Sequence, residues 1–194
     1  MGVSFYVGMT KSGKTFRALE DLKAAIVENG NPGLILDMIG AENFLDMPHE
    51  STVDAVLAKL YGSPRRNAVY RPKSEDETAA IFRAVNDDRL GGVNVLVDEL
   101  FWIPCKAQKI LPEFAAALRG WRHHKLGPNV FFLTSQRPGD LHGDGYAARS
   151  ALYVFRPSEG RDVDRLEKDF GIPRERMLAL PAREFILIRN EIAA

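Results

Sequence analysis

The chain has 194 residues, 45% of them hydrophobic, which suits one domain with a proper core. Its 26 basic and 26 acidic side chains cancel, so no global charge favours nucleic acid or a membrane surface, and only a local patch or a ring of subunits can supply one. The lone Cys105 excludes an internal disulfide framework and a cysteine-built zinc site.

In chain order, Val3 to Val7 reads as a buried strand and Gly8 to Thr15 as a loop. Phe16, Leu19, Leu22 and Ile26 then recur at helical spacing until Gly30, Pro32 and Gly33 stop the helix. Leu34 to Asp37 is a second strand, Val53, Val56, Leu57 and Leu60 mark a second helix, and Asn67 to Arg71 is a third strand ended by Pro72. Glu75 to Leu90 is helical, with Ala79, Phe82 and Val85 facing inward, and Val93 to Val97 is the most apolar strand. Gln108 to Leu126 reads as a helix carrying Leu111, Phe114, Leu118 and Trp121. Asn129 to Thr134 is a strand before a polar, glycine-rich loop, Pro138 to Gly145. Ala151 to Phe155 and Glu184 to Ile188 are further strands, flanking a charged helix around Val163, Leu166 and Phe170. Strand and helix alternating in this way predict an α/β fold: one domain over residues 1–194, with a mostly parallel sheet, helices on both faces and an antiparallel edge strand near the C-terminus.

Gly8-Met9-Thr10-Lys11-Ser12-Gly13-Lys14-Thr15 is a complete Walker A loop between a predicted strand and a predicted helix. Glycines let backbone N–H groups turn inward around phosphates, and the helix N-terminus adds its positive dipole end. Lys14 supplies a charge at the β- and γ-phosphates of ATP, and the Thr15 hydroxyl can ligate Mg²⁺. Lys11 is expected to face solvent.

Val93 to Val97 runs into Asp98-Glu99, the Walker B form. Asp98 would hold Mg²⁺ and Glu99 would orient and polarise the attacking water, a pairing that favours hydrolysis over transfer to a small acceptor. A further apolar strand ends in Thr134-Ser135-Gln136-Arg137-Pro138. If it lies beside the two motif strands, Gln136 can bond both phosphate oxygen and water; otherwise Gln136 caps a loop.

Together these residues resemble the FtsK/HerA superfamily of ring-forming DNA pumps, over residues 3–157. Leu118 to Gly127 stands where that family has a helix, a basic turn and a glycine before its glutamine strand. The compact chain is similar to the packaging ATPases of icosahedral viruses with an internal membrane. The resemblance implies a RecA/ASCE-like P-loop fold and ATP hydrolysis that drives sequence-independent DNA translocation into a capsid. It also implies a hexameric or similar ring with ATP at subunit interfaces, and capsid or portal-vertex proteins as partners. An arginine finger from the neighbouring subunit is implied too, with Arg122 the first candidate and Arg119 the second; either could instead be a solvated helix arginine or a DNA phosphate contact.

DNA contacts are expected through the backbone, from Arg119, Arg122, His123, His124 and Lys125 or from the loop ending at Arg149. No apolar run approaches the roughly 20 residues of a membrane span and no signal-peptide layout opens the chain, so a cytoplasmic protein is expected, at the virion vertex in a viral setting. A thymidine-type nucleoside kinase is the alternative, since its loop is similar. Met9 falls one place early for it, however, and its zinc cysteines and base-binding lasso are missing. A GTPase would need an Asn-Lys-x-Asp reader, which is absent.

Overall fold

The computed structural model describes residues 2–40, 44, 49–62, 67–87, 92–100, 105–106, 109–121, 128–137, 148–158 and 160–190. The elements are β1 (Val3–Val7), α1 (Lys14–Asn29), β2 (Gly33–Asp37), β3 (His49–Glu50), α2 (Val53–Gly62), β4 (Asn67–Tyr70), α3 (Glu75–Val85) and β5 (Asn94–Asp98), followed by β6 (Cys105–Lys106), β7 (Lys109–Ile110), α4 (Pro112–Gly120), β8 (Val130–Ser135), β9 (Arg149–Phe155), α5 (Arg161–Phe170), α6 (Arg174–Leu178) and β10 (Phe185–Arg189).

Eight strands form one sheet in the order β10-β9-β1-β8-β5-β2-β4-β3, while β6 and β7 pair separately as an antiparallel ribbon. Every pairing from β9 to β3 is parallel, and β10 joins the edge antiparallel to β9. The central strands β2, β5 and β8 are buried at every position, as expected of parallel strands covered on both faces. On one face Phe5, Leu36, Val97 and Leu133 meet Val56 of α2, Phe82 of α3, Phe114 of α4 and Leu166 of α5. On the other, Tyr6, Ile35, Leu96 and Phe132 meet Ala18, Leu22 and Ala25 of α1. This is the predicted α/β P-loop fold with its antiparallel edge strand. Among the described residues no helix is long and apolar enough to cross a membrane.

Three sequence expectations need correction. Phe16 does not join Leu22 inside: it is 60% exposed, and the buried face of α1 runs through Lys14, Ala18, Leu22 and Ala25. The helix is rotated because Lys14 must enter the site and Arg17 holds Asp21 at 2.8 Å beneath the Tyr153 and Phe185 rings. The fourth helix starts at Pro112 instead of Gln108, since a residue preceding proline is pushed out of the helical region and Leu111 is extended at φ −57°, ψ 122°. Finally, α3 ends at Val85, where Asn86 caps it and donates its side-chain amide to the Glu113 carbonyl; Leu90 lies outside the described residues. The short elements β3, β6, β7 and α6 carry too little periodicity to be read from sequence.

Candidate nucleotide site

The phosphate loop joins the end of β1 to the start of α1 and is tethered by its neighbours. Gly8 donates its amide to the Ser135 carbonyl at 3.2 Å, Met9 to that of Arg156 at 2.9 Å, and Arg183 donates to the Ser12 carbonyl at 2.9 Å. Thr10 Oγ1 donates to Gln136 Oε1 at 2.8 Å, so Gln136 sits against the loop. Gly13 caps α1 at φ 102°, and a Cβ there would lie 3.1 Å from Arg183 Cα, so the close approach of the two backbones needs a glycine. Lys11 is exposed, at φ 63°.

Lys14 points inward. Its Nζ is 2.8 Å from Glu99 Oε1, with both side chains almost wholly buried. Asp98 Oδ1 accepts from the Thr15 hydroxyl at 2.8 Å and from the Thr134 hydroxyl at 2.9 Å. Thr134 Oγ1 also accepts the Glu99 amide at 2.9 Å, so one side chain of β8 orients both acidic residues. This is possible because β8 lies between β1 and β5, with Val97 opposite Leu133 and Val7 opposite Ser135. Glu99 holds φ 62°, a left-handed conformation that costs a non-glycine residue about 1–2 kcal/mol. Burial pushes the Asp98 carboxyl above the ordinary carboxylate range; hydrogen bonds from Thr134 and Thr15 pull it back, the Glu99 charge raises it, and the Lys14 charge lowers it.

These groups fit a Mg²⁺-bound nucleoside triphosphate. Thr15 Oγ1 and Asp98 Oδ1 are adjacent hard oxygen donors. Among the described residues the buried Ser12 Oγ has no hydrogen-bond partner, and it lies in the loop where its hydroxyl could donate to a phosphate oxygen. The amides opening α1 supply the positive end of a helix.

From sequence, Asp37 and Arg71 stand at strand ends near the expected site with no role assigned, Thr134 is one residue of a polar strand tip, and Arg183 is not singled out. Asp37 ends β2 opposite Asp98 and is fully buried, accepting from the Gly40 amide at 2.8 Å and from Arg71 at 2.6 Å. Its place at the end of an apolar strand was the available signal. The strand pairing supplies the rest.

Arg119 of the basic cluster is not brought to this site in the same chain. Arg119 is exposed at the end of α4, where Trp121 accepts the Asn129 amide and lies over Gly2, at the opposite end of the strands. Six residues of β8 separate the two ends, about 15–20 Å at the usual strand rise. Arg122, His123, His124 and Lys125 and the loop 138–147 lie outside the described residues. Arg149 begins β9 at that same far edge, 4.8 Å from the Phe170 ring.

No family model matches the sequence, and no curated protein matches it. Solved structures do match. The genome-packaging NTPase B204 from Sulfolobus turreted icosahedral virus 2, in complex with sulfate, aligns with a TM-score of 0.78 over 97% of this chain and 90% of that one, at 20% identity. The chain has the fold of a viral genome-packaging NTPase. The ATP-gammaS complex of B204 from the same virus gives 0.78 at 18% identity, covering 97% of this chain and 91% of that one. B204 described as the DNA-packaging ATPase of Sulfolobus Turreted Icosahedral Virus gives 0.75 at 15% identity, covering 97% and 92%. The B204 likeness thus spans nearly all of both chains.

Proposed function

We propose that the chain is an ATP-hydrolysing DNA translocase of the FtsK/HerA kind that packages a viral genome. The observation that supports this reading best is the single cluster Lys14, Thr15, Asp98, Glu99, Thr134 and Gln136, gathered at one end of β1, β8 and β5 in a B204-like fold. The loop amides from Gly8 to Thr15 and the Lys14 ammonium hold the triphosphate, while Thr15 and Asp98 hold Mg²⁺, which neutralises phosphate charge when bound.

Glu99 accepts a proton from the attacking water. To do so its Oε1 must leave Lys14, where it sits at 2.8 Å. Gln136, tied to Thr10, senses the phosphate through that link. Thr134 keeps Asp98 and Glu99 in register. An arginine from a neighbouring subunit of a ring, hexameric or similar by analogy with the family, completes the charge stabilisation, with Arg122 first and Arg119 second. At about 15–20 Å from its own loop, Arg119 serves such a site only in trans. DNA is held by its backbone, and capsid or portal-vertex proteins are the docking partners. The thymidine-kinase reading is not favoured.

The test is ATP hydrolysis with and without double-stranded DNA, with thymidine in parallel. Strong stimulation by DNA of any sequence is expected. ATP consumption driven by thymidine, with no response to DNA, overturns the proposal. In mixed assemblies an Arg122→Ala subunit should slow its partners, and unchanged turnover removes the finger assignment.

A further inference from the structure

Phe16 follows directly on Thr15, in the first turn of α1, with 60% of its surface exposed. A single exposed aromatic ring is ordinary on a protein surface; what marks this one is its place at the end of the phosphate loop and the cation held against it. Above it stands the turn that leads into β10. In this turn Glu184 donates its amide to the Pro181 carbonyl, and Arg183 is fixed to the loop through the Ser12 carbonyl at 2.9 Å. Arg183 sits at φ 70°, where glycine is the natural occupant, yet the position carries the largest cation. Its guanidinium carbon lies 5.7 Å from the Phe16 ring centroid, within cation–π range. Gly13 lets this turn approach the loop closely, since its missing Cβ would otherwise lie 3.1 Å from Arg183 Cα.

Two flat surfaces therefore meet one residue beyond the Thr15 hydroxyl, one aromatic and one cationic, and both are tied to the loop that would hold phosphates. We propose that Phe16 and Arg183 form the base subsite of the nucleotide, a stacking surface for the purine ring. The inference rests on the nucleotide role proposed for the loop. Phe16 carries no hydrogen-bonding group, so this surface grips the π-face of a base and does not read its edge. Adenine and guanine should stack on it comparably.

The experiment compares equilibrium binding of ATP and of inorganic tripolyphosphate, both with Mg²⁺, to the wild-type chain and to Phe16→Ala, Phe16→Trp and Arg183→Gly. Tripolyphosphate carries the charge but no base. Phe16→Ala should weaken ATP about 5- to 100-fold, the range expected for one base–aromatic stack, and leave tripolyphosphate unchanged. Phe16→Trp should restore ATP binding. Arg183→Gly relieves the positive φ and keeps the backbone hydrogen bond, so it should weaken ATP while the melting temperature holds. Equal loss of both ligands in Phe16→Ala, or no loss of either, overturns the base subsite; the second result assigns Phe16 to another surface, such as a neighbouring subunit. A wild-type chain that binds neither ligand overturns the proposed function itself, and the base subsite with it.

Discussion

Replacing Lys14 by methionine keeps the length of the side chain and removes its charge. In the wild type, Nζ and Glu99 Oε1 are 2.8 Å apart, and the two side chains are 6% and 5% exposed. The pair is therefore nearly desolvated. Removing one partner of such a pair leaves the other buried without compensation, at a cost of about 3–5 kcal/mol. For a chain of this size that corresponds to a fall in melting temperature of about 6–20 °C. The cause is the stranded Glu99 carboxylate, so removing its charge as well should restore most of the loss. Lys14→Met combined with Glu99→Gln should accordingly melt well above Lys14→Met alone.

The double variant separates this cause from simple loss of packing, because neutralising Glu99 would not relieve a packing loss at Lys14. Melting followed by circular dichroism compares the wild type, the two single variants and the double variant. A Lys14→Met protein that melts like wild type, or a double variant that melts no higher than Lys14→Met, refutes the reasoning. Under the proposed function the same pair also sets a condition on catalysis, because Glu99 would take a proton from water only after releasing Lys14. Glu99→Gln should therefore fold and bind nucleotide while losing hydrolysis, and retained turnover removes its assigned role.

Thr134→Val removes one of the hydrogen bonds that hold the Asp98 pKa down and leaves the buried Glu99 amide without its acceptor. The fold should lose about 1–3 kcal/mol, and the acid limb of the ATPase pH profile should move to higher pH; an unmoved limb contradicts the role given to Thr134. Gly13→Ala places a Cβ at φ 102° and 3.1 Å from Arg183 Cα, so urea denaturation should show a loss of about 1–2 kcal/mol or more, with weaker nucleotide binding. Wild-type stability in that variant would mean the loop and the β10 turn are not in close contact. Arg71→Ala strips the fully buried Asp37 of a 2.6 Å partner, but Arg71 is 53% exposed and the Gly40 amide remains. A loss of about 1–2 kcal/mol is expected, and no loss would mean that solvent serves Asp37 equally well.

Much of this architecture was legible because it is local. β1, β2, β5 and β8 are short apolar runs bounded by polar or glycine residues, and their order with the intervening helices specifies a parallel sheet. The phosphate loop and the Asp98-Glu99 pair were legible for the same reason, since each is a contiguous string. What sequence could not supply was depth and rotation. Phe16 and Leu22 look equivalent in a helical pattern, yet the phosphate loop fixes where α1 begins. That start turns Lys14 inward and Phe16 outward. Proline decided the start of α4, a rule that was available but outweighed by the apolar pattern running through Leu111.

Thr134 shows the limit most clearly. As a string it is one polar residue near the end of an apolar strand, with nothing to set it above Ser135 or Gln136. Only the insertion of β8 between β1 and β5 brings its hydroxyl to both Asp98 and the Glu99 amide. The same insertion carries Gln136 to Thr10 and joins the two motifs into one site. The parallel pairing that builds the site also fixes what cannot belong to it. All the strand ends that carry Asp37, Asp98 and Gln136 point one way, and α4 runs back against them. Arg119 must therefore emerge at the other edge, and any part it takes in nucleotide chemistry has to cross a subunit boundary.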